Sequence, residues 1–271
     1  MTGGVERRAF VLAALLSVSC GATLMKLPAG PGAPAPDALD LVSEATIACR
    51  AVSTITAEIA VSGSVGGRRV RGRLLAGLAP PASARLEAVA PFGQPLFFFA
   101  SRDGDATLFL PRDNRVLEHG ASAEVLEAVA GVRIDASDLR AALTGCASAP
   151  DSSSARRLGD QWRVVSDGPS DIYLHRDSRA SWRLVATLHR AVGHPPWRAE
   201  YRDFQNGLPR TVRLTSLDAG RFDLRLTLSQ VGVNEPIDAA AFRLQIPAGA
   251  APMTLDELKK GGPLAARPNG S

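Results

Sequence analysis

Residues 221–230 alternate without a break. Phe222, Leu224, Leu226 and Leu228 are apolar, and Arg221, Asp223, Arg225 and Thr227 between them are polar. A period of two sends these sets to opposite faces of a strand, so one face is buried and the other wet. Trp182, Leu184, Ala186 and Leu188 repeat the pattern in residues 181–190, as do Trp197, Ala199 and Tyr201, and then Val212 and Leu214. A chain built this way must form a sheet and cover one side of it. The first half agrees. Residues 57–65 and 69–78 flank Gly66-Gly67 as a hairpin; residues 84–90 and 96–101 follow; 107–110 and 115–118 pair around Pro111 to Asn114. About eleven strands at regular spacing make a meandering sheet. The expected class is mainly β with helices (α+β): an open, incomplete antiparallel β-barrel with short helices over its concave face.

Three segments read as those helices. In residues 38–56, Leu39, Val42, Thr46, Cys49 and Val52 recur at spacings of three and four behind Asp37, an N-cap type. Ser122 and Ser137 are placed to cap helices over 122–130 and 137–144, which Gly131 and Gly145 end. If these helices do not fill the space, an apolar hollow remains, suited to a lipid chain. Its lining is expected from Trp182, Leu184, Leu188, Trp197, Tyr201, Phe222, Leu224 and Leu226.

The N-terminus has the order of an export signal. Arg7 and Arg8 precede a weakly polar to apolar run over 9–18, too short for a spanning helix. Small residues and Cys20 follow, and residues 16–20 (LSVSC) resemble a bacterial lipobox, with Ser17 where an apolar residue is usual. Residues 1–19 are therefore expected to be a signal peptide and Cys20 the lipid-attachment residue, with Gly21 favouring the outer membrane and the domain facing the periplasm. Residues 20–36, rich in Pro and Gly, read as a tether that could extend about 50 Å. The domain is expected over 37–252 and a disordered tail over 253–271. With Cys20 lipidated, Cys49 and Cys146 remain as a pair in an oxidising compartment. A disulfide between them is expected; the alternative is two buried free thiols.

The chemistry of a catalyst is not visible. The 271 residues hold no nucleophile elbow, zinc-protease helix motif, phosphate loop or dinucleotide fingerprint. No Cys or His pair has zinc-ligand spacing, and the histidines read as surface or strand-end residues. The net charge of +4 is spread over arginines without a basic run, which argues against nucleic acid as partner. A non-enzymatic protein without metal or cofactor is expected.

Two stretches carry a family resemblance. Residues 90–94 (APFGQ), between two strands, resemble the protruding loop of the LolB family of outer-membrane lipoprotein receptors. Residues 125–145 (VLEAVAGVRIDASDLRAALTG) resemble that family's pair of short helices. The likeness spans about residues 38–230; the long tether, the extra cysteines and the chain after Pro247 depart from it. It implies an open barrel that binds lipoprotein acyl chains, or phospholipid, delivered by a LolA-like periplasmic carrier. It also implies release into the outer membrane, with Pro91, Phe92 and Gly93 as the transfer loop. Two other readings of these residues stand: Phe92 folded back on the sheet, and a structural or protein-binding envelope module without lipid transfer.

Overall fold

The computed structural model describes residues 23–190, 195–218 and 221–261. The expected signal peptide, Cys20, Gly21 and the last ten residues of the expected tail lie outside them. In chain order, β1 (Ala33–Pro34) precedes helices α1 (Ala38–Ala45) and α2 (Ile47–Arg50). Six strands follow: β2 (Ile55–Val65), β3 (Arg68–Ala79), β4 (Ser83–Val89), β5 (Pro95–Arg102), β6 (Asp105–Leu110) and β7 (Arg115–Ala121). Helices α3 (Ser122–Ala130) and α4 (Ala136–Thr144) come next. The second run of strands is β8 (Ser154–Leu158), β9 (Trp162–Ser166), β10 (Ser170–Arg176), β11 (Trp182–His189), β12 (Trp197–Arg202), β13 (Thr211–Ser216) and β14 (Phe222–Val233). β15 (Ala251–Pro252) and α5 (Leu255–Gly261) end the described chain.

All the strands belong to one open sheet, in the order β1-β8-β9-β10-β11-β12-β13-β14-β2-β3-β4-β5-β6-β7-β15. Two meanders, β2 to β7 and β8 to β14, join where β14 pairs antiparallel with β2, setting Leu224, Leu226 and Leu228 opposite Gly63, Val61 and Ile59. Gly63 sits at φ +145°, and a Cβ there would meet the Asp223 carbonyl oxygen at 1.9 Å. The joint therefore needs glycine for close approach as well as for its backbone angle.

The three strands β8, β9 and β10 carry no clear alternation in the sequence. Both faces of this part of the sheet are covered. Val165, Ile172 and Leu174 join the main core, while Val164 and Tyr173 join a second apolar cluster on the outer face. Strands buried on both sides lose alternation.

β11 departs from its expected pattern for another reason. The β10–β11 register steps from Leu174–Leu184 to Tyr173–Ala186, so Val185 is an extra residue. A bulge of this kind moves the rest of the strand to the opposite face. Trp182 and Leu184 face the main core, but Ala186 and Leu188 join the outer cluster. Leu188 is thus not on the inner face, contrary to the periodicity, and Thr187 and His189 take its side of the sheet.

The helices follow the expectation with shifted ends. The first is two short helices broken at Thr46, and helix gives way before Ile55. Asp37 makes no capping bond; its carboxylate pairs with Arg163 at 3.1 Å. α4 is capped by Asp135, which accepts from the Asp138 N–H at 2.8 Å, rather than by Ser137. Gly131 and Gly145 end α3 and α4 in the left-handed conformation, as expected.

The segment expected as a free tether is docked from residue 23 onward. Met25 and Leu27 pack on the outer cluster, β1 pairs with β8 at the sheet edge, and Ala35 is buried. Proline suits an edge strand because no ladder N–H is lost. The clamp is Glu200, 1% exposed on the outer face of β12. Both its oxygens accept from the Met25 N–H, at 3.1 and 3.2 Å, and pair with Arg198 at 2.6 Å and Arg202 at 3.3 Å. Arg198 and Arg202 in turn donate to the carbonyls of Met25 and Thr23. The tail also starts ordered. The Met253 N–H donates to the Val116 carbonyl, and α5 buries Leu258 beside α3. Met253, Leu255 and Leu258 supply an apolar face that the Gly/Pro-rich composition beyond them hides.

Cys49 and Cys146 are disulfide-bonded, with Cα atoms 5.4 Å apart across a separation of 97 residues. The bond ties α2 to the residue after the α4 cap. In the chain-entropy picture a loop of this length contributes about 4–5 kcal/mol. The Cys49→Ser, Cys146→Ser double variant is expected to lose stability of that order in a urea melt; an unchanged midpoint would contradict it. Glu200→Ala leaves Arg198 without its carboxylate and frees the Met25 amide, so hydrogen exchange at residues 23–27 should rise many-fold. Unchanged protection there would mean that apolar packing alone holds the segment.

Candidate functional site

The inner face of the sheet carries most of the expected lining. Leu184, Tyr201, Leu224 and Leu226 are buried in the main core, and Phe222 beside them is 7% exposed. Trp182 and Trp197 pack partly buried against the same cluster. Val125, Leu126 and Val129 of α3 and Leu139, Ala142 and Leu143 of α4 complete it from the other side. The helices occupy the expected hollow. Seven of the eight residues expected to line it share one face, and Leu188 is the exception.

The face opens at one end. Trp197, Phe222 and His189 on the strands, with Glu127 and Asp138 from the helices and Arg133 from the connection between α3 and α4, border a depression of about 250 Å3. The His189 and Trp197 rings stack with centroids 4.0 Å apart, and His189 Nε2 lies 3.1 Å from Thr187 Oγ1. Thr187 Oγ1 also shares a hydrogen bond of 3.1 Å with the buried Tyr201 hydroxyl. Burial pushes the Tyr201 phenol up to about 12 and lowers the His189 imidazole to about 4. Burial also raises Asp138 above the usual carboxylate range, and Asp135 adds to the effect. Glu127 of α3 pairs with Arg133 of the α3–α4 connection at 3.0 Å and, across the opening, with Arg221, ahead of β14, at 3.5 Å. The opening thus has an apolar floor and a charged rim. Its rim residues give no sequence signal, because they converge only when α3 folds over the sheet; His189 reads as a strand-end histidine until the bulge turns it inward.

No helix among the described residues is long and apolar enough to cross a membrane, and among them no group of His, Cys, Asp and Glu could hold a metal ion.

Pro91, Phe92 and Gly93 form the tip of the β4–β5 hairpin. The Gly93 N–H donates to the Ala90 carbonyl at 2.9 Å, and the Ala90 N–H to the Gln94 carbonyl at 2.8 Å. Gly93 takes φ +83°, as a tight turn requires. Phe92 is 96% exposed, so it is not folded back on the sheet. Phe97, Phe99, Phe222 and Phe242 are buried.

No protein-family model matches the chain, and no curated protein matches it in sequence. Solved structures do resemble it. A LolA superfamily protein from Nitrosomonas europaea superposes with a TM-score of 0.50 at 10% identity, covering 75% of this chain and 96% of that one. A putative outer membrane lipoprotein-sorting protein domain from Vibrio parahaemolyticus gives 0.43 at 12% identity, covering 75% and 95%. The lipoprotein LppX from Mycobacterium tuberculosis gives 0.33 at 14% identity, covering 75% and 98%. The chain has a LolA/LolB-like fold.

His189 makes stability depend on pH. Its pKa is about 4 in the folded protein against 6.5 for the free side chain, so between these values the unfolded chain binds the extra proton. The stabilisation is complete above pH ~6.5 and is lost as pH falls toward ~4, by at most ~3 kcal/mol. His189→Gln should flatten the stability profile across this window relative to the wild type, as measured by urea melts from pH 4 to 7. Parallel profiles would show that His189 is not held neutral.

Proposed function

We propose that this protein is a lipid-anchored envelope protein that takes acyl chains of lipoproteins or phospholipid onto the inner face of its sheet and passes them to the outer membrane. The donor in this reading is a LolA-like periplasmic carrier, and the anchor is lipid on Cys20. The observation that carries the reading is Phe92: a large aromatic side chain held almost wholly in water at the tip of a hydrogen-bonded hairpin, on a molecule that buries phenylalanines elsewhere. Such a side chain gains from entering an apolar phase, by at most about 2–3 kcal/mol. That is enough to orient a tethered domain and too little to anchor it.

The inner face supplies the other half. α3 and α4 cover it through side chains, and α4 is tied at its C-terminal end by the Cys49–Cys146 bond. The opposite end is held to the sheet by the Glu127–Arg221 ion pair, which is partly exposed and so costs little to break. Separation at that end, hinged near the disulfide, would offer Trp197, Phe222 and the leucines behind them to an acyl chain. Each CH2 group buried there contributes about 0.8 kcal/mol. No covalent step is needed: the exposed face need only bind the chain more tightly than the donor and less tightly than the membrane.

The reading is tested by Phe92→Glu, with cargo transfer to liposomes and a thermal melt measured side by side. The melt should not move, because Phe92 packs on nothing, while transfer should slow by an order of magnitude or more, as ~2–3 kcal/mol implies. Transfer at the wild-type rate by the folded variant would contradict the delivery role. The cover of helices α1, α3 and α4 over the inner face favours a second reading, a protein-binding envelope module on the same fold. It expects no transfer activity in the wild type at all.

A further inference from the structure

We propose that the outer face of strands β12, β13, β14, β2 and β3 is a docking surface for a membrane containing anionic phospholipid. The strand registers place its side chains in rows. Arg202, Thr211, Thr227, Ala60 and Arg73 form one row across the five strands; Glu200, Arg213, Arg225, Ser62 and Arg71 form the next. A third ends in Ser64 and Arg69.

The carboxylates of this face are already engaged. Glu200 holds Arg198 and Arg202, Asp223 holds Arg213 at 2.6 Å, and Glu58 holds Arg73 at 3.3 Å. Arg69, Arg71 and Arg225 are exposed and have no carboxylate among the described residues. Arg213 and Arg225 stand directly opposite one another, a like-charge pair that costs stability within the sheet. Nothing in the fold requires this excess of positive charge.

Its geometry suits a phosphate. Arg225 and Arg71 flank Ser62, one strand to either side, so their backbones lie about 10 Å apart. The small side chains of Ala60, Ser62 and Ser64 leave a shallow trough between them. Guanidinium groups from both walls reach a phosphate lying over Ser62 and bind it in the planar, bidentate way that lysine cannot.

A membrane is the occupant that fits the placement. The docked N-terminal segment meets this same face, where Arg202 donates to the Thr23 carbonyl. Thr23 is three residues from Cys20, a span of at most about 11 Å. This step rests on the lipid-anchored reading: a lipid on Cys20 would bring this face, and not the opening beside Trp197, to the anchoring bilayer. The β4 strand that leads to Phe92 adjoins the Arg69–Arg73 strand, with Val89 opposite Arg73.

The test uses the full chain carrying Cys20→Ala, so that binding cannot come from an attached lipid. Flotation is measured with phosphatidylcholine vesicles with and without phosphatidylglycerol. The chain should prefer the anionic vesicles, and raising salt to ~0.5 M should abolish the preference. Arg71→Glu with Arg225→Glu should lower binding to the anionic vesicles by about tenfold or more. Arg112→Glu, in the exposed β6–β7 turn, should leave it nearly unchanged. A thermal melt checks that each variant is folded. Equal flotation with both vesicle types, or wild-type binding by the folded double variant, would overturn the proposal. Lipid labelling of the unaltered Cys20 chain is a separate measurement, so a failure of the anchor and a failure of the docking face are told apart.

Discussion

The structure depends on the pairing of β14 with β2. These strands are the longest stretches of sheet contact between the two halves of the chain, and they unite two meanders that would otherwise each expose an edge and an apolar face. Closure is non-local, between residues 55–65 and 222–233, so it must repay a large loop entropy. It does so through a register that lines Phe222, Leu224, Leu226 and Leu228 along the inner face, and through Gly63, which lets the Asp223 backbone approach where any side chain would collide. Once this joint forms, the sheet has one inner face, which α1 covers over β8 to β11 and α3 and α4 cover over the first meander.

Much of this was legible because the inner face obeys a period of two wherever the outer face is wet. β14, β12 and β13 could be read directly, as could the β2–β3 hairpin about Gly66-Gly67. Legibility ended where that condition failed. β9 and β10 are covered on both sides, by the core and by Met25 and Leu27, and so they show runs such as Val164-Val165 and Ile172-Tyr173-Leu174 in place of alternation. In β11 a single extra residue, Val185, reversed the faces of Leu188 and His189. No local signal announces a bulge.

The N-terminal segment shows the same limit from another side. Its composition is that of a linker, and composition reports only what a segment cannot do alone. Docking was decided by a buried carboxylate on a distant strand, Glu200, whose cost of burial is offset by Arg198, Arg202 and the Met25 N–H together. Cys49 and Cys146 could be paired on chemical grounds. The rim of Glu127, Arg133 and Arg221 could not be foreseen, since it exists only in the folded arrangement.

The inner and outer faces of the sheet are thus given different work by the same alternation: apolar residues toward the helices, arginines and small hydroxyl residues toward solvent. In the proposed function the inner face accepts acyl chains when α3 and α4 part from it. Native mass spectrometry of the full chain purified from membranes, with the bound material then identified, tests it most directly. One or two acyl chains are expected per molecule, released when the helices are unfolded. Protein that is empty as isolated and stays empty when incubated with phospholipid or lipoprotein would contradict it.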